Sequence, residues 1–210
     1  MKRFCFLLFF QILISCHQSN KDVAVSNDNF IPKKFSEKLS RAAISIIDPS
    51  IHYDPSYFKI EYPNGDVPKN KGVCTDVIIR SYRKLGVDLQ KEVHKDLLQN
   101  FTAYPNLKKW GMTKTDTNID HRRVPNLEIF FERKGIKLPV TKNPNDYKTG
   151  EIVTWMINDK LPHIGIVTHK KSHDGKRNLI VHNVGNGQVL EDCLFAYKIV
   201  GHFKYEGISN

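Results

Sequence analysis

Cys74, His163 and His182 are the residues whose types and settings suit chemistry. Cys74 follows Gly72-Val73 and opens a helical pattern. A thiol at a helix N-terminus meets unpaired N–H groups and the positive end of the dipole, which favour the thiolate. The same N–H groups can hold the oxyanion of a tetrahedral intermediate. A thiol nucleophile needs a base, most often histidine. His163 heads one expected strand, and His182 ends the strand expected to pair with it across an Asp174-Gly175 turn. Antiparallel neighbours bring such side chains together on one face. One imidazole can then take the thiol proton while the other orients it. Each residue alone reads more plainly as a buried structural Cys or a satisfied sheet His; the set of three favours the chemical reading.

Zinc held by Cys74, His163 and His182 is the rival chemistry, since the ligand types suit it. Against it, the chain has no Cys-x-x-Cys or His-x-x-x-His pair, and a helix start suits a nucleophile better than a ligand. Neither a Gly-rich phosphate loop nor a Gly-x-Ser-x-Gly elbow is present. No metal or cofactor is expected.

The elements that must position these residues follow from periodicity. Leu39, Ala42, Ala43, Ile46 and Ile47 recur at helical spacing over 35–47. Cys74, Val77, Ile78, Tyr82 and Leu85 form one face of the next helix, with Gly86 a natural stop. Leu89, Val93, Leu97 and Phe101 mark a third helix. Pro125 begins a fourth, which Gly135 closes. Thereafter strands are expected at Ile152–Trp155, His163–Thr168, Asn178–His182 and Tyr197–Tyr205. Helices first and an antiparallel sheet second make an α+β domain with segregated layers.

The residues Gly150-Glu151-Ile152-Val153, His163-Ile164-Gly165-Ile166-Val167 and Ile180-Val181-His182 resemble the NlpC-type cell-wall peptidases of the papain-like superfamily. That resemblance implies a papain-like fold with Cys74, His163 and His182 in the catalytic order. It also implies a Tyr near the nucleophile, matched upstream by Tyr62. Longer strings resemble an uncharacterised bacterial family, domain of unknown function 1287: Tyr62-Pro63-Asn64-Gly65-Asp66-Val67-Pro68, Gly72 to Val77, Asn118 to Leu127 and Leu161 to Val167. The chain departs from the peptidase pattern after the nucleophile. Thr75-Asp76 stands where those enzymes carry Ser-Gly, so Asp76 either shapes substrate choice or raises the thiol pKa.

In Asp120-His121-Arg122-Arg123, the paired arginines suit a substrate carboxylate, Arg122 foremost. A capping and salt-bridge network before the Pro125 helix is the favoured alternative. Cys193 sits in an apolar setting and reads as a buried small residue, although a disulfide with Cys74 stays open. His169 and His173 flank a hairpin turn and are expected to be exposed.

The N-terminus supplies an address. Lys2 and Arg3 precede an apolar run that closes on Leu13-Ile14-Ser15-Cys16, the pattern of a secretory signal with a lipobox. Residues 1–16 read as that signal with Cys16 acylated, 17–33 as a polar tether and 34–210 as the papain-like domain. The formal charge of +10 falls to +8 when Lys2 and Arg3 leave with the signal. A basic exported protein meets cell wall or membrane surface rather than nucleic acid. The composition, 40% hydrophobic and 26% charged, suits one packed domain and excludes a disordered chain. The expectation is a hydrolase of the bacterial cell envelope, lipid-anchored, acting on a peptide or amide bond of peptidoglycan. A thiol acyltransferase using the same residues and a non-enzymatic cell-wall-binding lipoprotein are the alternatives.

Overall fold

The computed structural model describes residues 33–207. The signal, Cys16 and nearly all of the tether lie outside the described residues.

Five α-helices come mostly before the sheet. They are α1 (Phe35–Ile44), α2 (Cys74–Arg83), α3 (Leu89–Gln99), α4 (Asn106–Trp110) and α5 (Val124–Lys134). A two-residue parallel pair, β1 (His52–Tyr53) with β2 (Lys71–Gly72), leads directly into α2. The main sheet has six antiparallel strands: β3 (Ile136–Lys137), β4 (Ile152–Ile157), β5 (Leu161–Lys171), β6 (Asn178–His182), β7 (Val189–Glu191) and β8 (Lys198–Lys204). Their order is β3-β8-β4-β5-β6-β7. The architecture is α+β, as the periodicity predicts.

Helix ends follow local chemistry. Asp88 caps α3 by accepting the Lys91 N–H. Pro125 occupies the first turn of α5, where its missing N–H costs nothing. Gly86, at φ +80°, turns the chain after α2, a conformation that glycine adopts without Cβ strain. α1 stops at Ile44, a turn earlier than Asp48-Pro49 suggests: Ile46 and Ile47 continue as 3-residue turns instead.

The period of two along each strand sends alternate residues to opposite sides of the sheet. Ile152, Ile164, Ile166, Val181 and Phe203 face the helices. There they pack against Leu39, Val77, Ile78, Tyr82, Val93, Leu127, Phe130 and Phe131 in the larger core. Val153, Trp155, Val167 and Ile180 point the other way, into a smaller cluster with Tyr147, Cys193 and Leu194. Trp155 lies opposite His163 and Ile166 opposite Val181, while the register shifts between Thr154 and Trp155 against β8 and between Val167 and Lys171 against β6. This alternation places His163 on the Trp155 side, with the two rings 5.7 Å apart.

Candidate active site

Cys74 is the first residue of α2 and is only 5% exposed. Its thiol lies against β5, where the backbone N–H groups of Ile164, Thr75 and Cys74 itself point to it. Those donors favour the thiolate, yet burial outweighs them, and Asp76 adds like charge. The thiol pKa is pushed up to about 12. The helix-start argument therefore has the right sign and too small a size. The resting residue is a neutral thiol.

His163 Nε2 and His182 Nδ1 lie 2.8 Å apart, as the strand positions predict. Their closeness depends on Gly165. His182 lies beside this residue on the neighbouring strand, and a Cβ added at Gly165 would stand 3.2 Å from the His182 Cβ and 2.7 Å from Ile180 Cγ2. A bare backbone at 165 thus leaves room for the second imidazole to reach the first. Burial holds the His163 pKa down, to about 3, with His182 adding to the effect. The ring is a neutral acceptor across ordinary pH.

The chain of contacts does not stop at His182. Its Nε2 lies 2.9 Å from Glu191 Oε2 on β7 and 3.5 Å from Cys193 Sγ. Burial lowers the His182 pKa while Glu191 opposes that shift. Sequence reasoning missed Glu191. The signal was there in register form, because three residues at 189–191 pair with 180–182, but so short a strand carries no periodicity of its own.

The thiol and the His163 ring make no direct hydrogen bond among the described residues. The thiol takes the Ile164 N–H on the helix face of β5, whereas the His163 ring, one residue earlier, lies on the Trp155 face of the sheet. His163 Nδ1 has no hydrogen-bond partner there either, so its second nitrogen remains free to accept a proton.

A cleft of about 530 Å³ opens beside Cys74. Tyr53 and Trp110 line it, together with Lys109, Lys160 and Arg123. Arg123 stacks on the Trp110 ring at 4.0 Å. The tyrosine next to the nucleophile is Tyr53, whose pKa is raised to about 12 by burial and then by Cys74. Tyr62, the residue the resemblance implied, does not line the cleft; its ring packs edge-on against His94 at 5.1 Å.

Asp76 and Arg122 bind each other, and Arg122 also belongs to the lining of the Cys74 cleft. Nε and Nη2 of Arg122 donate to the two Asp76 oxygens at 2.9 and 3.0 Å, with both side chains 2% exposed. Asp76 also accepts the Val73 N–H at 2.7 Å, fixing the turn into Cys74. The remaining Arg122 nitrogen, Nη1, donates to the Ser56 carbonyl. This network locks the loop before the nucleophile to the turn before α5, the structural reading of the Asp120-to-Arg123 cluster. Asp120 itself accepts from Asn106 Nδ2 at 2.8 Å.

Cys74 and Cys193 are both free thiols, so the disulfide does not form. Nor do Cys74, His163 and His182 cluster as metal donors; among the described residues the group with that geometry is His182, Glu191 and Cys193. His169 is half-buried rather than exposed, because its Nδ1 lies 2.8 Å from Ser40 Oγ of α1. His202 gains a partner in Glu151 at 2.7 Å.

Comparison with known proteins agrees with the longer sequence resemblance. The chain is 48% identical over 159 residues to the uncharacterized protein YijF of Escherichia coli (strain K12), covering 76% of each. No solved structure matches. The family model "Domain of unknown function (DUF1287)" matches residues 40–205, from α1 to the end of the sheet. The chain belongs to the DUF1287 family.

Proposed function

We propose that this chain is a cysteine hydrolase of papain-like, NlpC-type fold that cleaves a peptide or amide bond through an acyl-enzyme on Cys74. The observation that carries the reading is the ordered line His163–His182–Glu191, which ends at the strand position next to a helix-start thiol on an open cleft.

In this reading Glu191 accepts the proton of His182 Nε2, and His182 Nδ1 accepts that of His163 Nε2. His163 is thereby left with its lone pair on Nδ1. It takes the thiol proton as Cys74 attacks the carbonyl carbon, since a thiol of pKa about 12 needs a base at the moment of reaction. Hydrogen bonds of this kind are often long in a free enzyme and tighten when substrate binds. The N–H groups at Ile164 and the start of α2 face the developing oxyanion. His163 returns its proton to the leaving amine, and water attacks the thioester with the same imidazole as base.

Lys109, Lys160 and Arg123 suit a substrate with free carboxylates, as the peptides of peptidoglycan carry. Residues 1–16 fit a lipoprotein signal ending at Cys16, which would anchor the domain in the cell envelope beside that polymer. Incubating the protein with purified peptidoglycan and reading products by mass spectrometry tests the reaction class. Fragments released by the wild type and absent with Cys74→Ala support it. No release from either removes peptidoglycan as the substrate.

A further inference from the structure

Cys193 is a buried thiol for which the proposed reaction has no use, yet it points at the same nitrogen that Glu191 approaches. His182, Glu191 and Cys193 each present one donor atom, and the three lie within 4.8 Å of one another. His182 Nε2 stands 3.5 Å from Cys193 Sγ and 2.9 Å from Glu191 Oε2. Tetrahedral zinc, with bonds of about 2.0 Å to nitrogen and oxygen and about 2.3 Å to sulfur, sets N···S at ~3.5 Å and N···O at ~3.3 Å. The first spacing is met as it stands. The second requires only that Glu191, whose side chain is 42% exposed, swing outward by a few tenths of an ångström.

We infer that His182, Glu191 and Cys193 form a site for zinc, with solvent as the fourth ligand. The exposed Glu191 side gives the ion a path in, whereas His182 and Cys193 supply a buried, preformed pair. The other His182 nitrogen is bonded to His163, which fixes ring orientation as the outer partners of metal-bound histidines do. On binding, the Cys193 thiol releases its proton to solvent and both sulfur and Nε2 donate lone pairs to the metal. His182 must then carry its own proton on Nδ1, where it donates to His163 Nε2. The His163 proton correspondingly sits on Nδ1. Each imidazole keeps one proton, but the nitrogen of His163 left to accept the Cys74 proton is now occupied. Zinc at this site switches the proposed base off; that consequence rests on the hydrolase reading, whereas the site itself does not.

Titration of the full chain with Co²⁺, followed by its thiolate-to-cobalt charge-transfer absorption, tests the site without any activity assay. The expected result is one equivalent bound, a band bleached by Zn²⁺, lost in Cys193→Ser and kept in Cys74→Ser. Absence of the band in the wild type, or its persistence in Cys193→Ser, overturns the site. Should Cys193→Ser fail to fold, Glu191→Gln replaces it. Cobalt affinity is then expected to fall at least about tenfold, since loss of even an outer partner of a metal ligand costs about 10–100-fold, and unchanged affinity overturns the site. If cobalt binds as described but zinc leaves Cys74 alkylation and peptidoglycan cleavage unaltered, the site stands and the switch falls.

Discussion

His163 Nε2 and His182 Nδ1 face each other at 2.8 Å, which makes the proton on one ring dictate the lone pair on the other. With Glu191 at 2.9 Å from the far nitrogen of His182, a single arrangement leaves every polar atom of the line satisfied and His163 Nδ1 free. The order of importance among the three follows from their places in that line.

Removing His163 as His163→Ala takes away the base itself and should lower kcat by about 10²–10⁴. His182→Ala leaves a base of unfixed tautomer and should cost less. Glu191→Gln keeps an acceptor but loses its charge, a difference of about 1 kcal/mol, or about fivefold. Steady-state rates on a defined peptide substrate give the ranking. A Glu191→Gln loss as large as that of His163→Ala would contradict it.

Gly165 is where packing and chemistry meet. A Cβ at this position would stand 2.7 Å from Ile180 Cγ2, 3.1 Å from the Val181 carbonyl and 3.2 Å from His182 Cβ. Gly165→Val should therefore push β5 and β6 apart, costing about 1–3 kcal/mol for overpacking. The two imidazoles would separate with the strands. Nuclear magnetic resonance of the histidine ring nitrogens should show the His163–His182 coupling lost, while an unchanged spectrum would place the two rings elsewhere.

The Asp76–Arg122 pair is assigned to structure, and stability decides that assignment. Asp76→Ala strands a guanidinium that is 2% exposed, and breaking a buried pair in this way costs about 3–5 kcal/mol. Thermal and urea unfolding should show a clear drop. A variant as stable as the wild type but with raised KM would mean that Arg122 serves the substrate after all.

The state of the thiol has a signature in pH. Because burial pushes Cys74 up to about 12, its thiolate fraction is small at neutral pH and rises about tenfold per unit as the solution becomes more alkaline. Alkylation by iodoacetamide should accordingly climb from pH 6 to 9 with no plateau. Rapid, pH-independent alkylation at acid pH would indicate a preformed thiolate–imidazolium pair instead.

The site was legible in the sequence where local patterns carry it. Cys74 opens α2 because Val77, Ile78 and Tyr82 fix that helix face, and His163 and His182 lie beside each other because their strands share a register. What stayed hidden depends on contacts distant in sequence. Tyr53 reaches the thiol through a two-residue parallel pairing of β1 and β2, too short for any pattern. Glu191 belongs to a strand of three residues, and α4, which brings Trp110 to the cleft, has only five. The thiol pKa is hidden for a different reason: a helix N-terminus and the Asp76 carboxylate are visible in sequence, while the depth of burial that dominates both is a property of the packed whole.

The central claim is that Cys74 is the nucleophile. Its most direct measurement is graded alkylation of the full chain, with Cys74 and Cys193 occupancy read by peptide mass mapping and peptidoglycan cleavage assayed in parallel. Residual cleavage is expected to fall in proportion to Cys74 modification, reaching zero at one equivalent while Cys193 remains intact. Full modification of Cys74 with cleavage undiminished would contradict the account.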